Sequence, residues 1–148
     1  MKKKFNIIGI AGFAILLFTG CVTTKEQVVS NKFKPSLSFK YSDKITINYE
    51  KKGRGNQPLL LIHGFGSSLR NWDDVIAKLA NNKLLDKKFT LYAIDLKGYG
   101  FSSKPKDNKY TIKDQAEIVK AFIENYSLKH PVIVGHSMGG VSHYTQQF

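Results

Sequence analysis

Ser137 stands in the run Gly135-His136-Ser137-Met138-Gly139-Gly140, where glycines flank a hydroxyl at two-residue spacing. A serine oxygen can attack a carbonyl carbon and hold the acyl group until water removes it. It needs a base to take its proton and donors to steady the oxygen that becomes negative. The residues around Ser137 favour such a role. Pro131-Val132-Ile133-Val134 is a short, β-branched apolar run, which reads as a strand covered on both faces. A sharp turn from that strand into a helix strains the serine backbone, and small neighbours let strand and helix approach without a Cβ clash. The same turn would aim two groups at one point: the Ser137 oxygen and the amide of Met138 at the helix N-terminus.

Other elements must hold that turn in place. Leu37, Phe39 and Tyr41 alternate, a turn follows at Ser42-Asp43-Lys44, and Ile45, Ile47 and Tyr49 continue the period of two, which predicts a hairpin. Gly53-Arg54-Gly55-Asn56 reads as a loop. Pro58 then precedes the uniformly apolar strand Leu59-Leu60-Leu61-Ile62, which ends in His63-Gly64-Phe65-Gly66-Ser67-Ser68. Trp72, Val75, Ile76 and Leu79 share one helical face, with Asn71 or Ser68 as the cap. Phe89, Leu91, Ala93 and Ile94 predict another strand, leading into Asp95-Leu96-Lys97-Gly98-Tyr99-Gly100-Phe101-Ser102. After a turn-rich loop at Lys104–Asn108, a helix is expected from Thr111 to Asn125, with Ile112, Ala116, Val119, Phe122 and Ile123 as its stripe and Thr111 with Asp114 as a capping box. Strands alternating with helices of this length imply a right-handed parallel sheet in the α/β class.

Three of these segments, the His63-Gly64-Phe65 turn, the Asp95 to Ser102 loop and the Gly135 to Gly139 turn, together resemble the α/β-hydrolase family, in family order, over about Leu37 to Gly140. The resemblance implies an incomplete α/β-hydrolase fold: a mostly parallel sheet with an N-terminal antiparallel hairpin, strands one to five and their flanking helices. It implies that the amide of Phe65 joins that of Met138 as an oxyanion hole for Ser137, while Asp95 shapes its own loop. A serine at the elbow is unlike the haloalkane dehalogenase and epoxide hydrolase branches in their usual form, where aspartate stands there. It suits hydrolysis of an ester, thioester or amide, of which small-molecule carboxylic esters are the expectation, with no cofactor or metal implied.

In that family the triad acid and histidine follow the serine, well beyond the elbow. Here eight residues follow Gly140, none of them acidic, and the only histidine after Ser137 is His143. His143 is expected too far round the next helix, His136 should leave the turn in another direction, and His130 falls at the opposite end of its strand. His63 is the remaining contender, although its family role is to brace the oxyanion turn. The sequence is therefore read as an N-terminal half whose last strand, Val132 to Val134, is an apolar edge open to self-association, and as inactive without the missing half. The alternative is a catalytically silent lipoprotein that uses the same fold as a basic interaction surface.

The chain's start concerns location. Lys2-Lys3-Lys4, the apolar run Ile7 to Phe18 and Thr19-Gly20 read as a signal peptide over residues 1–20, too short for a spanning helix. Cys21, the single cysteine, stands where a bacterial lipobox would be cut and lipidated, although Phe18 and Thr19 replace the usual Leu and Ser or Ala. The expectation is export and lipid anchoring to a bacterial membrane through Cys21, with plain secretion as the alternative. Residues 21–36 are then a solvated tether and 37–148 the hydrolase-like domain. The net charge of +12 falls to +9 once the three leader lysines are removed, which favours anionic lipid headgroups. Scattered lysines without an aromatic-rich basic motif argue against nucleic acid as a partner.

Overall fold

Alternating apolar residues build the first pair of strands. In a computed structural model that describes residues 37–144, β1 (Leu37–Ser42) pairs antiparallel with β2 (Ile45–Gly53), with Phe39 opposite Ile47. The leader assigned to 1–20, Cys21 and the tether over 21–36 lie outside the described residues, as do residues 145–148. Phe39, Ile47 and Tyr49 are buried on one face, whereas Leu37 and Tyr41 are exposed, so the inward stripe of β1 narrows to Phe39.

The continuous apolar runs form the parallel strands. They are β3 (Gln57–Ile62), β4 (Phe89–Ile94) and β5 (Val132–Gly135), in a five-stranded sheet of order β1-β2-β4-β3-β5. β3 is parallel to both β4 and β5, and β2 meets β4 antiparallel. Both faces of the middle strands are covered, which is why these runs lack alternation. Leu60, Ile62, Tyr92 and Ile94 pack with Ile118, Val119 and Phe122 of α3 (Ile112–Asn125, labelled in chain order) on one side. Leu61, Leu91 and Ala93 pack with Leu69 and with Ile76 and Leu79 of α1 (Asp73–Asn81) on the other. Pro58 is tolerated in β3 because the ladder to β5 begins only at Leu59.

Three local details depart from the sequence pattern. The segment read as one helix around Trp72 divides into a 3-10 helix, Leu69–Trp72, and α1. Ser68 caps the first by accepting from the Arg70 amide at 3.3 Å, and no side chain caps α1. A further helix, α2 (Lys83–Lys88), was not signalled, because Leu84 and Leu85 are exposed and give no periodic stripe; Asn82 caps it by accepting from the amides of both leucines. In α3 the capping box forms as expected, but Ile112 is exposed and Ile118 takes its place in the core.

Chain direction reverses at β3. From β3 the chain passes through α1 and α2 to β4 on one side, then through α3 back across β3 to β5 on the other. The connections leaving the neighbouring strands β3 and β5 therefore go to opposite faces, since α4 (Met138–Tyr144) packs beside α3. Such a reversal opens a crevice at the carboxyl ends of the two strands, where open α/β sheets place their ligands. Among the described residues β5 is an edge strand, with Val132 45 % and Val134 39 % exposed.

Candidate functional site

The crevice holds the turn after β5. His136 continues the ladder by donating its amide to Ile62 at 3.0 Å, and the next residue, Ser137, has φ +51°, a left-handed value uncommon for a residue with a Cβ. Met138 then opens α4. That reversal needs room. A Cβ on Gly135 would lie 2.4 Å from the Gly139 carbonyl carbon, and one on Gly139 would lie 2.4 Å from the Ile62 carbonyl oxygen. The two glycines flanking Ser137 therefore let helix α4 sit directly on β5 and on the end of β3. As the first residue of α4, Met138 has no carbonyl one turn earlier in the helix to receive its amide.

The turn after β3 lies against this elbow. A Cβ on Gly64 would meet His136 Nδ1 at 2.8 Å, the His136 carbonyl oxygen at 3.1 Å and Ser137 Cβ at 3.2 Å, so the two turns pack with no room for a side chain between them. Phe65 follows, 78 % exposed as a residue, with its ring set edge-on to Tyr99 at 6.1 Å between centroids. Ser137, Met138 and Phe65 thus come from turns in contact at the ends of adjacent parallel strands.

His63 is fully buried between these turns. The Leu96 amide donates to its Nε2 at 3.0 Å, so Nε2 carries a lone pair and Nδ1 carries the proton, donated to the Gly64 carbonyl at 2.7 Å. Both ring nitrogens are spent on backbone. Burial pushes its pKa below the ordinary value, against smaller upward pulls from the Gly64 bond and the Asp95 charge. His63 braces the turn and is not placed to take a proton from Ser137. His130 lies before β5, at the far end of the strand from Ser137, where its carbonyl accepts from Gln57 Nε2 at 2.8 Å. His136 is exposed, and the side chain of His143 is outside the described residues.

Asp95 is equally committed. Its buried carboxylate accepts from the Leu69 amide at 2.7 Å through Oδ1, and from Asn48 Nδ2 at 2.7 Å and the Phe101 amide at 2.9 Å through Oδ2. Gly100, at φ +48°, leaves space for it: a Cβ there would lie 2.1 Å from Oδ2. The residue joins β2, the turn before α1 and its own loop, and it offers nothing to a substrate.

Two residues of the loop after β4 were not singled out by sequence. Lys97 is fully buried and ion-paired with Asp107, and Tyr99 stands edge-on to His63 at 5.3 Å. A lysine in a glycine-rich polar loop carries no signal of burial. Among the described residues no group of His, Cys, Asp and Glu side chains is arranged to hold a metal ion. Two open surface depressions, one along α1 and α2 and one of about 510 Å³ between the β1–β2 turn and the Lys97–Asp107 pair, are not lined by Ser137.

Comparison with known proteins agrees with this geometry. A family model described as the alpha/beta hydrolase fold matches residues 57–142. The acetyltransferase component of the acetoin cleaving system of Cupriavidus necator is 39 % identical over 98 residues, covering 66 % of this chain and 24 % of that protein. An uncharacterized hydrolase of Bacillus subtilis, YugF, is 36 % identical over 99 residues, covering 66 % of this chain and 34 % of its own. A crystal structure of a membrane phospholipase A, a bacterial virulence factor, superimposes with a TM-score of 0.60 and 36 % identity over 71 % of this chain and 32 % of that one. The chain thus spans about a quarter to a third of the length of these proteins.

Proposed function

From membership of the alpha/beta hydrolase fold family, to which this chain belongs, we propose that Ser137 is the nucleophile of a hydrolase of carboxylic esters. The Ser137 oxygen adds to the ester carbonyl carbon while its proton passes to a base. The carbonyl oxygen, now negative, is held by the amides of Phe65 and Met138, and the alcohol leaves with the proton as the acyl-enzyme forms. Water then reverses the sequence and frees the acid. One observation carries the reading: a left-handed serine between a parallel strand and a helix, packed against the glycine turn after the neighbouring strand. The acetyltransferase and the phospholipase A among these relatives support chemistry at an acyl carbon.

Among the histidines with described side chains, His63 spends both ring nitrogens on backbone and His130 lies at the far end of β5, so neither supplies the base. Removing the base from a well-studied serine protease lowers turnover by on the order of 10⁶, about 8 kcal/mol of transition-state stabilisation. We therefore propose that the acid and histidine come from outside these 148 residues, and that the chain by itself turns over little. A chimera tests the assignment: residues 37–140 replace the matching third of the Bacillus subtilis relative. The expected result is hydrolysis of p-nitrophenyl esters and fluorophosphonate labelling, both abolished by Ser137→Ala. A folded chimera that neither hydrolyses nor labels, where its parent does both, would overturn it and favour the silent, basic interaction surface instead.

Lipidation of Cys21 would place this domain at a bacterial membrane, and mass spectrometry of the mature N-terminus checks it. Self-association through the open edge of β5 should appear as concentration-dependent mass in solution, reduced by Val134→Lys.

A further inference from the structure

Lys97 is unusual among the described lysines because only 1 % of it is exposed. An ammonium taken out of water is costly unless its protons are received. Here its Nζ donates to both Asp107 carboxylate oxygens at 2.8 and 2.7 Å and to the Lys109 carbonyl at 2.8 Å, with the Tyr110 ring centroid at 4.5 Å. All these partners lie on the returning limb of the same loop, ten to thirteen positions on. The backbone of residue 97 is clamped as well. Its amide donates to Gln115 Oε1 at 3.1 Å and its carbonyl accepts from Gln115 Nε2 at 2.9 Å, with Gln115 buried on α3.

The residues on either side of this clamp reach the site. Leu96, immediately before, donates its amide to His63, and Tyr99, two residues after, sets its ring edge-on to both His63 and Phe65. Gly98, between them, has φ +91° and lies against Tyr110, where an added Cβ would meet Cε1 at 2.6 Å. A displacement of residue 97 therefore moves both groups that fix the turn from His63 to Gly66. Nothing else described packs an aromatic ring on Phe65.

We propose that Lys97 is a positioning residue for the oxyanion side of the site: by closing the 96–111 loop on itself it holds Tyr99 against His63 and Phe65, and so fixes the direction of the Phe65 amide. The importance of that direction rests on the reading of Ser137 as a nucleophile. The mechanical coupling does not.

Nuclear magnetic resonance of the full chain tests the coupling without any activity. The readouts are the His63 Nδ1–H resonance and hydrogen exchange at Gly64, Phe65 and Gly66. In Lys97→Met both should change, with exchange at the turn faster by about tenfold or more while amides of β3 and β4 hold their protection. Lys97→Arg should restore them, because a guanidinium also reaches a carboxylate. Tyr99→Leu should reproduce the change, and Lys97→Met with Tyr99→Leu should add nothing further, as expected of one route. If Lys97→Met fails to fold, Asp107→Asn, at the partly exposed end of the pair, gives the same readout in a milder form. A folded Lys97→Met or Asp107→Asn chain whose His63 signal and turn exchange match the parent would overturn the proposal. Labelling in the chimera reports on the hydrolase reading separately: turn signals that move without any labelling sink that reading and leave the latch, whereas labelling with unmoved signals does the reverse.

Discussion

The elbow around Ser137 and the loop after β4 flank the same buried histidine but are held in opposite ways. The elbow depends on missing atoms: Gly64, Gly135 and Gly139 each face a neighbour that an added Cβ would meet at 2.8 Å or less. The loop depends on filled valences: the Asp95 carboxylate receives three donors and the Lys97 ammonium is taken up by Asp107 and Lys109. The first is a steric device and ignores pH and salt. The second is electrostatic, and its strength depends on the Asp95 and Asp107 carboxylates and the Lys97 ammonium remaining charged and paired with their donors and acceptors. A turn built from close packing around glycines gives fixed geometry, while the loop beside it supplies the polar bracing that glycines cannot.

The difference is broken most forcefully at Asp95. Asp95→Ala removes the acceptor of the Leu69 amide and of the Asn48 side chain in a dry position, at an expected cost of about 3–5 kcal/mol in urea denaturation. Asp95→Asn should fall between parent and alanine, because one amide oxygen still accepts while its NH2 faces donors. An Asp95→Ala loss below about 1 kcal/mol would mean that water replaces the carboxylate and that the loop is not held by saturation. Next in size is Gly139→Ala. Its methyl meets backbone oxygens of Ile62 and His63 at 2.4 and 2.6 Å, and overpacking of this kind costs about 1–3 kcal/mol. The diagnostic feature is that this loss should be the same at low and high salt and across the neutral pH range. A salt-dependent loss would assign the elbow to the electrostatic class after all.

The two devices also differ in how far sequence revealed them. Steric demand leaves a trace, because glycine is almost the sole way to meet it: the spacing around Ser137 and the turn after Ile62 could be read directly. So could the strands, since burial on both faces gives Leu59 to Ile62 and Val132 to Val134 their unbroken apolar character. The capping box at Thr111 was legible for a similar reason, as two polar residues three apart have one common local use. Polar saturation leaves little trace. Lys97 reads as one of many surface lysines until the fold brings Asp107 to it, and Tyr99 reads as a loop residue until it meets His63. Helix α2 was hidden because its leucines face solvent and its start depends on the Asn82 side chain rather than on any stripe. The position of β5 beside β3 required the family resemblance, because strand order is a long-range property that local pattern does not carry.

The finest test of the contrast is acid titration, since the two devices meet at His63. Burial lowers its pKa from the ordinary value of 6.5, and the neutral ring must accept from Leu96 while donating to Gly64. A folded pKa below the unfolded one means that the unfolded chain binds the extra proton first. The contribution is complete above pH 6.5 and is lost as pH falls through that value toward the lowered one. Protonation would set an Nε2–H against the Leu96 amide, so exchange at Gly64 and Phe65 should quicken there first. Asp107 behaves differently: its hydrogen bond from Lys97 holds its carboxyl below the usual 3.8, so the latch contribution persists until pH drops under that value. The two losses begin at different pH, from 6.5 downward for His63 and under 3.8 for Asp107, so the turn should begin to loosen while the latch stays closed. His63→Gln, whose amide oxygen can accept from Leu96 without titrating, should remove the upper transition and leave the lower one. A single transition shared by both regions would show that the turn and the loop open together, and that the division between steric and electrostatic support does not extend to their dynamics.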